Sequence, residues 1–351
     1  MSWDIAWILL ANGLASGAVY LLAGLGLVLV FSVTRVVFVP FGDIAAFAAL
    51  SLASFETGRL PPTVPMVALL ALVVTAVELG SAWRRRELAR WPRIVLGWGM
   101  APLLPCALAW ALAGRNAPPM LQVAAAVLLV VPLAPLLARL ALQPIADAST
   151  LVLLIVSLAL HFLLAGLGLL FFGPEGVRTH ALVQGALRLT PSFSLSAQTL
   201  LMIACAAVLS GLLYLLFERT STGKVLRATA VNRVGARLVG IRPARTALQA
   251  YALASVLAGL IGVLIAPVAT VYYDSGFLIG LKAFVAAIFG GLTSFPLTAL
   301  GAVAVGIAES FASFWNGALK DVLVFSLLIP VLLARSWLGR HVEEDAEEVE
   351  A

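Results

Sequence analysis

The chain has 351 residues, 62% of them hydrophobic and only 11% charged, with 22 Lys and Arg against 17 Asp and Glu. A water-soluble domain carries roughly a quarter charged residues, so this composition and a mean hydropathy of +1.07 exclude a soluble globular protein. Long apolar runs without two-residue alternation select helices over a closed barrel, because backbone polar groups in hydrocarbon must be satisfied within their own segment.

The expected fold class is therefore all-α, a polytopic integral membrane protein with about 10–11 transmembrane or partly spanning helices. In chain order the apolar segments fall at 5–31, 36–55, 64–83, 94–113, 120–141, 150–172, 196–217, 246–270, 278–293, 296–315 and 319–336. The start, MSWDIAWILL, lacks a basic leader and a small-residue cleavage site and reads as a retained first helix. Cys106 and Cys205 sit in apolar runs and read as small buried hydrophobes. Three histidines without a His/Cys cluster argue against a metal site.

Two loops concentrate positive charge. Arg84, Arg85, Arg86, Arg90 and Arg93 follow the third segment, and Arg219, Lys224, Arg227, Arg233, Arg237, Arg242 and Arg245 follow the seventh. The positive-inside rule places both in the cytoplasm. An even number of segments separates them, which puts the N-terminus outside and the C-terminus inside. The expected domains are a transmembrane unit over 1–340, with a cytoplasmic loop at 218–245, and an acidic disordered tail at 341–351. The outward loop 173–195 carries Arg178 and Arg188 against the rule, and its Gly and Pro content predicts an irregular segment. No internal repeat stands out, and small-residue spacings such as Gly13/Gly17 and Gly259/Gly262 are expected by chance among 29 glycines.

Pro40 with Gly42, and the stretch from Pro267 through Gly276 to Gly280, interrupt apolar runs. A broken helix at membrane depth exposes backbone donors and acceptors, which is tolerated only where they line a cavity or pack inside protein. Asp43, Glu78, His161, Lys282 and Glu309 are ionisable residues within segments and each needs a partner or a purpose. Glu78 lies near a segment end and can snorkel, while His161 reads as an imidazole hydrogen-bonded to a neighbouring helix. Folding the last hairpin at its centre leaves Lys282 and Glu309 about 3 Å apart in depth, so they are expected to form an intramembrane ion pair. The fragment STGK at Lys224 is not a phosphate loop, since Glu218 stands where the first glycine would be. With no nucleophile and base constellation, the chain reads as no enzyme. In the basic loop, Leu226, Ala230, Val234 and Leu238 recur every fourth residue and predict a short helix suited to docking a soluble partner or lying on lipid headgroups.

The stretch NGLASGAVYLLAGLGLVLVFSVTRVVFVPFGD, the middle block LARLALQPIADASTLVLLIVSLALHFLLAGLGLLFFGP, the loop RATAVNRVGARLVGIRPAR and the blocks GLKAFVAAIFGGLTSFPLTALGAVAVGIAES and KDVLVFSLLIPVLLARSWLGR resemble, in this order, the permease subunits of bacterial ATP-binding cassette importers for branched-chain amino acids. The resemblance implies a substrate pathway at Tyr20, Phe41, Gly42 and Asp43, and a coupling segment carrying Arg227, Ala228, Asn232, Arg233, Ala236, Arg237 and Gly240. In that reading Ala228, Ala236 and Gly240 permit close approach of an ATPase groove, while Arg227, Arg233 and Arg237 meet acidic groups around it. It further implies a second, homologous or identical permease, two cytoplasmic ATPase subunits, an external solute-binding protein and surrounding lipid in a bacterial inner membrane, without nucleic acid. ATP and magnesium would belong to the ATPase partners, and this chain itself would hold no cofactor. The family commonly has Asn-Phe-Ala-His before Gly-Asp; here Phe38, Val39, Pro40 and Phe41 stand there, so a ligand touching those positions would differ. The stretch from Arg84 to Pro119 is longer than the family pattern and is expected to add a pair of spans. The alternatives are a self-sufficient ion-coupled secondary transporter using Asp43 or Glu309, and a membrane-embedded enzyme.

Overall fold

A computed structural model describes residues 3–115, 117–190, 193–333 and 336. The tail at 341–351 and part of the last apolar segment lie outside the described residues. The helices are α1 (Trp3–Thr34), α2 (Phe41–Glu56), α3 (Thr63–Arg84), α4 (Leu88–Leu112), α5 (Pro119–Leu142), α6 (Thr150–Phe172), α7 (Ala197–Arg219), α8 (Ser221–Val231), α9 (Arg233–Leu238), α10 (Pro243–Ile265), α11 (Ser275–Phe289), α12 (Phe295–Trp315) and α13 (Lys320–Ser326). Among the described residues eight of these, α1, α3 to α7, α10 and α12, are long and apolar enough to cross a bilayer. The protein is an all-α polytopic membrane protein.

Three expectations are corrected. The stretch from Arg84 to Pro119 contains one helix, α4, and not a pair of spans. Residues 36–40 and 266–270 leave the helices to which their hydropathy assigned them, because Pro40 lacks the N–H a continuing helix needs and Pro267 follows the last turn of α10. The loop 173–195, expected to be irregular, is not so throughout. Strands β1 (Ala186–Thr190) and β2 (Phe193–Ser196) pair antiparallel there, with Ala186 opposite Ser196 and Leu187 opposite Leu195.

The centre of the bundle is α2, where fourteen of sixteen residues are buried. It is short, and almost all its side chains are small or apolar, so α10, α11, α5 and α6 close around it. Gly262 of α10 faces α2 where a Cβ would lie 1.9 Å from the Ala45 carbonyl oxygen. The Gly13/Gly17 spacing is likewise used: α1 crosses α12 so closely that a Cβ on Gly306 would lie 2.3 Å from the Gly17 nitrogen. Lipid offers no hydrophobic drive for helix association, and small residues let backbones approach instead. The same plan occurs twice, a long helix, a break and a short helix, in α1–α2 and in α10–α11. The two short helices meet N-terminus to N-terminus.

Candidate functional site at the two helix breaks

The chain leaves α1 at Arg35, whose positive φ of 61° ends the helix. Thr34 Oγ1 accepts a hydrogen bond from the Val36 N–H at 3.2 Å. Across the break Val39 donates to Ser157 Oγ of α6 at 2.9 Å, and Phe41 donates to the Phe38 carbonyl at 3.2 Å. These bonds answer the question of where the broken backbone finds partners in a medium without water. The second break is held from outside α10 and α11. Val271 and Val177 exchange backbone bonds of 2.9 Å, Thr179 N–H donates to Ala266 at 3.1 Å, and Arg178 Nε donates to the Pro267 carbonyl at 2.9 Å. Arg178 is thus tied to protein, which accounts for a cation on the side opposite the arginine-rich loops.

At the meeting point of α2 and α11, a Cβ on Gly42 would lie 1.9 Å from the Gly276 carbonyl oxygen, and one on Gly276 would lie 2.5 Å from the Asp43 nitrogen. Only two glycines permit that crossing. Asp43 sits in the first turn of α2, where a carboxylate is favoured by the helix dipole, and is 0% exposed. Its carboxylate faces His161 of α6, with Nδ1 2.8 Å from Oδ2 and 3.0 Å from Oδ1. Ser157 and His161 are one helical turn apart, so a single face of α6 holds both the break and the acid that follows it. The His161 ring stacks on Phe277 of α11 at 4.8 Å between centroids. Phe41 is also fully buried, and its ring fills the space left by Gly26 of α1. In this conformation Phe41, Gly42 and Asp43 are packed inside protein and sealed from solvent.

Tyr20 does not join them through any hydrogen bond described. Its hydroxyl donates to Glu309 Oε2 at 2.5 Å, inside a second buried polar cluster. There Lys282 Nζ contacts Glu309 Oε1, and Asp321 Oδ1 lies 2.8 Å from the same ammonium. Lys282 and Glu309 stand on α11 and α12, the two arms of the last hairpin. Asp321, at the start of α13, was not singled out by the sequence because an acid in a first turn reads as an ordinary helix start. Glu78 does not snorkel alone: Arg139 binds it through Nε and a terminal nitrogen at 2.8 and 2.7 Å.

The basic loop forms two helices and not one. Asn232 is extended and its Oδ1 accepts from the Gly235 N–H at 2.8 Å, capping α9 and breaking the row that Leu226 and Ala230 begin. Leu226 is buried beside Leu29 and Val33 of α1, whereas Val234 and Leu238 are exposed. Ala236 is buried at 4% exposure, so in this chain its small side chain serves the packing of the loop. Ala228 and Gly240 are exposed. Arg227 pairs with Glu218, while Arg233 and Arg237 turn to a cavity shared with Arg85, Arg90 and Arg93. Thus the three arginines do not form one patch. The STGK fragment is the first turn of α8, capped by Thr220 Oγ1 on the Gly223 N–H at 3.0 Å.

Comparison with known proteins follows this geometry. The family described as branched-chain amino acid transport system / permease component matches residues 93–332. Among curated proteins, the high-affinity branched-chain amino acid transport system permease protein LivH of Salmonella typhimurium is 31% identical over 201 residues, 56% of this chain and 65% of its own length. LivH of Escherichia coli K12 is 32% identical over the same shares. BraD of Pseudomonas aeruginosa is 38% identical over 143 residues, 39% of this chain and 45% of its own. The chain therefore spans about 65% of the length of the LivH proteins it matches. No solved structure matches significantly. With the match covering more than half of its residues, the chain belongs to the permease component family of branched-chain amino acid transport systems.

Proposed function

We propose that this chain is one transmembrane half of an ATP-driven importer for branched-chain or related amino acids. It pairs with a second permease, similar or identical, takes substrate from an external binding protein, and is driven by two cytoplasmic ATPase subunits that hold the ATP and magnesium. Tyr20, Phe41, Gly42 and Asp43 are the residues proposed for the path, and the sealed break is its closed state. Opening it requires substrate and ATPases to favour a different packing of α2 against α11, because a ligand shifts a conformational equilibrium only by its differential affinity for the two states.

The observation that carries this reading is the apolar edge of the loop between α7 and α10. Val231, Val234, Leu238 and Val239 are 68–85% exposed on a segment anchored to the bundle by Leu226. Such an edge calls for a partner surface, and the loop stands at the arginine-rich end. Both arginine-rich loops border one cavity and four spans separate them, which supports a common cytoplasmic side, with the N-terminus outside and the C-terminus inside. Val234→Glu and Leu238→Glu alter exposed side chains and leave folding intact. Co-purification of an ATPase subunit and amino-acid uptake should fall together in both variants. Retained ATPase association and uptake would overturn the coupling role. Cysteines placed at Ser221 and Thr57 should label from the cytoplasm and from outside respectively, and the reverse would overturn the orientation.

A further inference from the structure

The arginine-rich end holds a cavity of about 810 Å³ between the turn after α3, the start of α4, the end of α5 and the α9–α10 junction. Its charge is unbalanced. Seven arginines line it against three carboxylates: Glu78 is committed to Arg139 and Glu87 to Arg90, and neither Asp147, the third, nor any other carboxylate among the described residues lies within ion-pair distance of Arg85, Arg93, Arg233, Arg237 or Arg242. Arg233 Nε is buried without a hydrogen-bond partner among the described residues. Five guanidinium groups around one hollow favour an anion with several oxygens, since each offers a planar fork that matches phosphate.

A second hollow shows what that anion is attached to. An apolar groove of about 270 Å³ continues from the cavity, and Trp98 lines both. Gly97, Ala101 and Pro105 of α4 form one wall, with Leu128, Val131 and Pro135 of α5 opposite. Gly97 and Ala101 present little side-chain bulk here, and a π-helical stretch at Val95–Met100 offsets this face of α4. From Trp98 to Pro105 the helix rises about 10 Å, within the roughly 15 Å of one hydrocarbon leaflet. Trp98 stands at the boundary, the position that suits an indole between headgroup and acyl chain.

We propose that this cavity and groove form a binding site for an acidic phospholipid, its phosphate among the arginines and an acyl chain along α4 and α5. Basic pockets between helices at the cytoplasmic surface are suited to such headgroups. The lipid bridges α4, which lies at the edge of the bundle, to Arg233 and Arg237 of the loop proposed for coupling. The site itself does not depend on the importer reading.

The test uses the purified full-length chain, stripped of lipid in detergent and incubated with phosphatidylglycerol or with phosphatidylcholine of the same acyl chains, retained lipid being read by native mass spectrometry. Phosphatidylglycerol should be retained at concentrations about tenfold lower than phosphatidylcholine. Arg85→Gln with Arg93→Gln should remove most of that preference, and Ala101→Trp, which fills the groove, should reduce retention with all arginines present. Equal retention of the two lipids by the unmodified chain overturns the proposal without reliance on any variant. Displacement of the lipid by millimolar inorganic phosphate, with Ala101→Trp indifferent, would make this a free-anion site. If the arginine variant keeps its lipid but loses an ATPase subunit, the cavity is a protein-docking surface and the lipid assignment fails.

Discussion

Two buried polar clusters, Asp43 with His161 and Lys282 with Glu309 and Asp321, solve the same problem in opposite ways. The first is a single pair with no exposed surface on Asp43, and it sits at a backbone crossing too tight for any side chain. The second spreads one ammonium over two carboxylates, borrows the Tyr20 hydroxyl, and keeps Asp321 about one-third exposed. A sealed pair has no substitute for a lost partner, whereas a shared, partly hydrated cluster can redistribute. Rigidity at the helix break and tolerance in the last hairpin are the consequences.

The largest effect is expected at the crossing that fixes the first cluster. Gly42→Ala would drive a methyl group into the Gly276 carbonyl, a clash that ordinary side-chain motion cannot relieve, so a loss above about 4 kcal/mol is expected. The measurement is the fraction of monodisperse protein recovered in detergent, and near-normal recovery would show that α2 and α11 can separate cheaply. His161→Leu comes next. It leaves the Asp43 carboxylate buried and unpaired, a change that costs about 3–5 kcal/mol. Asp43→Asn keeps a hydrogen-bonding group against His161, so membrane insertion should be close to normal while uptake falls.

Lys282→Met should cost less than His161→Leu, because Asp321 can turn to water even though Glu309 loses its counter-ion. Heat-inactivation half-lives of the two variants, compared in one detergent, would reverse the comparison if Lys282→Met proved the worse. Glu309→Gln should be milder still, since Lys282 keeps Asp321. Removing Lys282 and Glu309 together should cost less than the sum of the single changes, and strict additivity would show that they do not interact. The smallest effect belongs to the exposed Arg227–Glu218 pair: Glu218→Gln should shift stability by no more than about 1 kcal/mol.

In the basic loop between α7 and α10, too, one side chain redirects the packing. Apolar residues at every fourth position predicted one helix through Leu226 and Leu238, and the small Ala236 invited a docking surface. The structure breaks that helix with the side chain of Asn232 and turns Ala236 inward. Periodicity reports which residues share a face of a regular helix, and a single capping side chain resets the phase. The β1–β2 hairpin was hidden in a similar manner, because Pro191 and the glycines of that loop read as turn signals and its strands are short.

The sequence by itself determined the class of protein, the family resemblance and nearly every membrane segment, and it marked both interruptions while drawing the segments through residues 36–40 and 266–270. Those features rest on local properties: hydropathy summed over about 20 residues decides insertion, and proline and glycine disrupt a helix wherever they fall. Only the tertiary structure decided which groups meet. Asp43 and His161 are 118 residues apart in sequence, Asp321 joins a pair that the hairpin alone accounted for, and arginines from two loops gather around one cavity. Partner choice depends on helix rotation and crossing, and these are set by where glycines such as Gly42, Gly262 and Gly306 allow backbones to touch. In a bilayer, where every helix is equally apolar to its surroundings, that close packing does what hydrophobic contrast does in water.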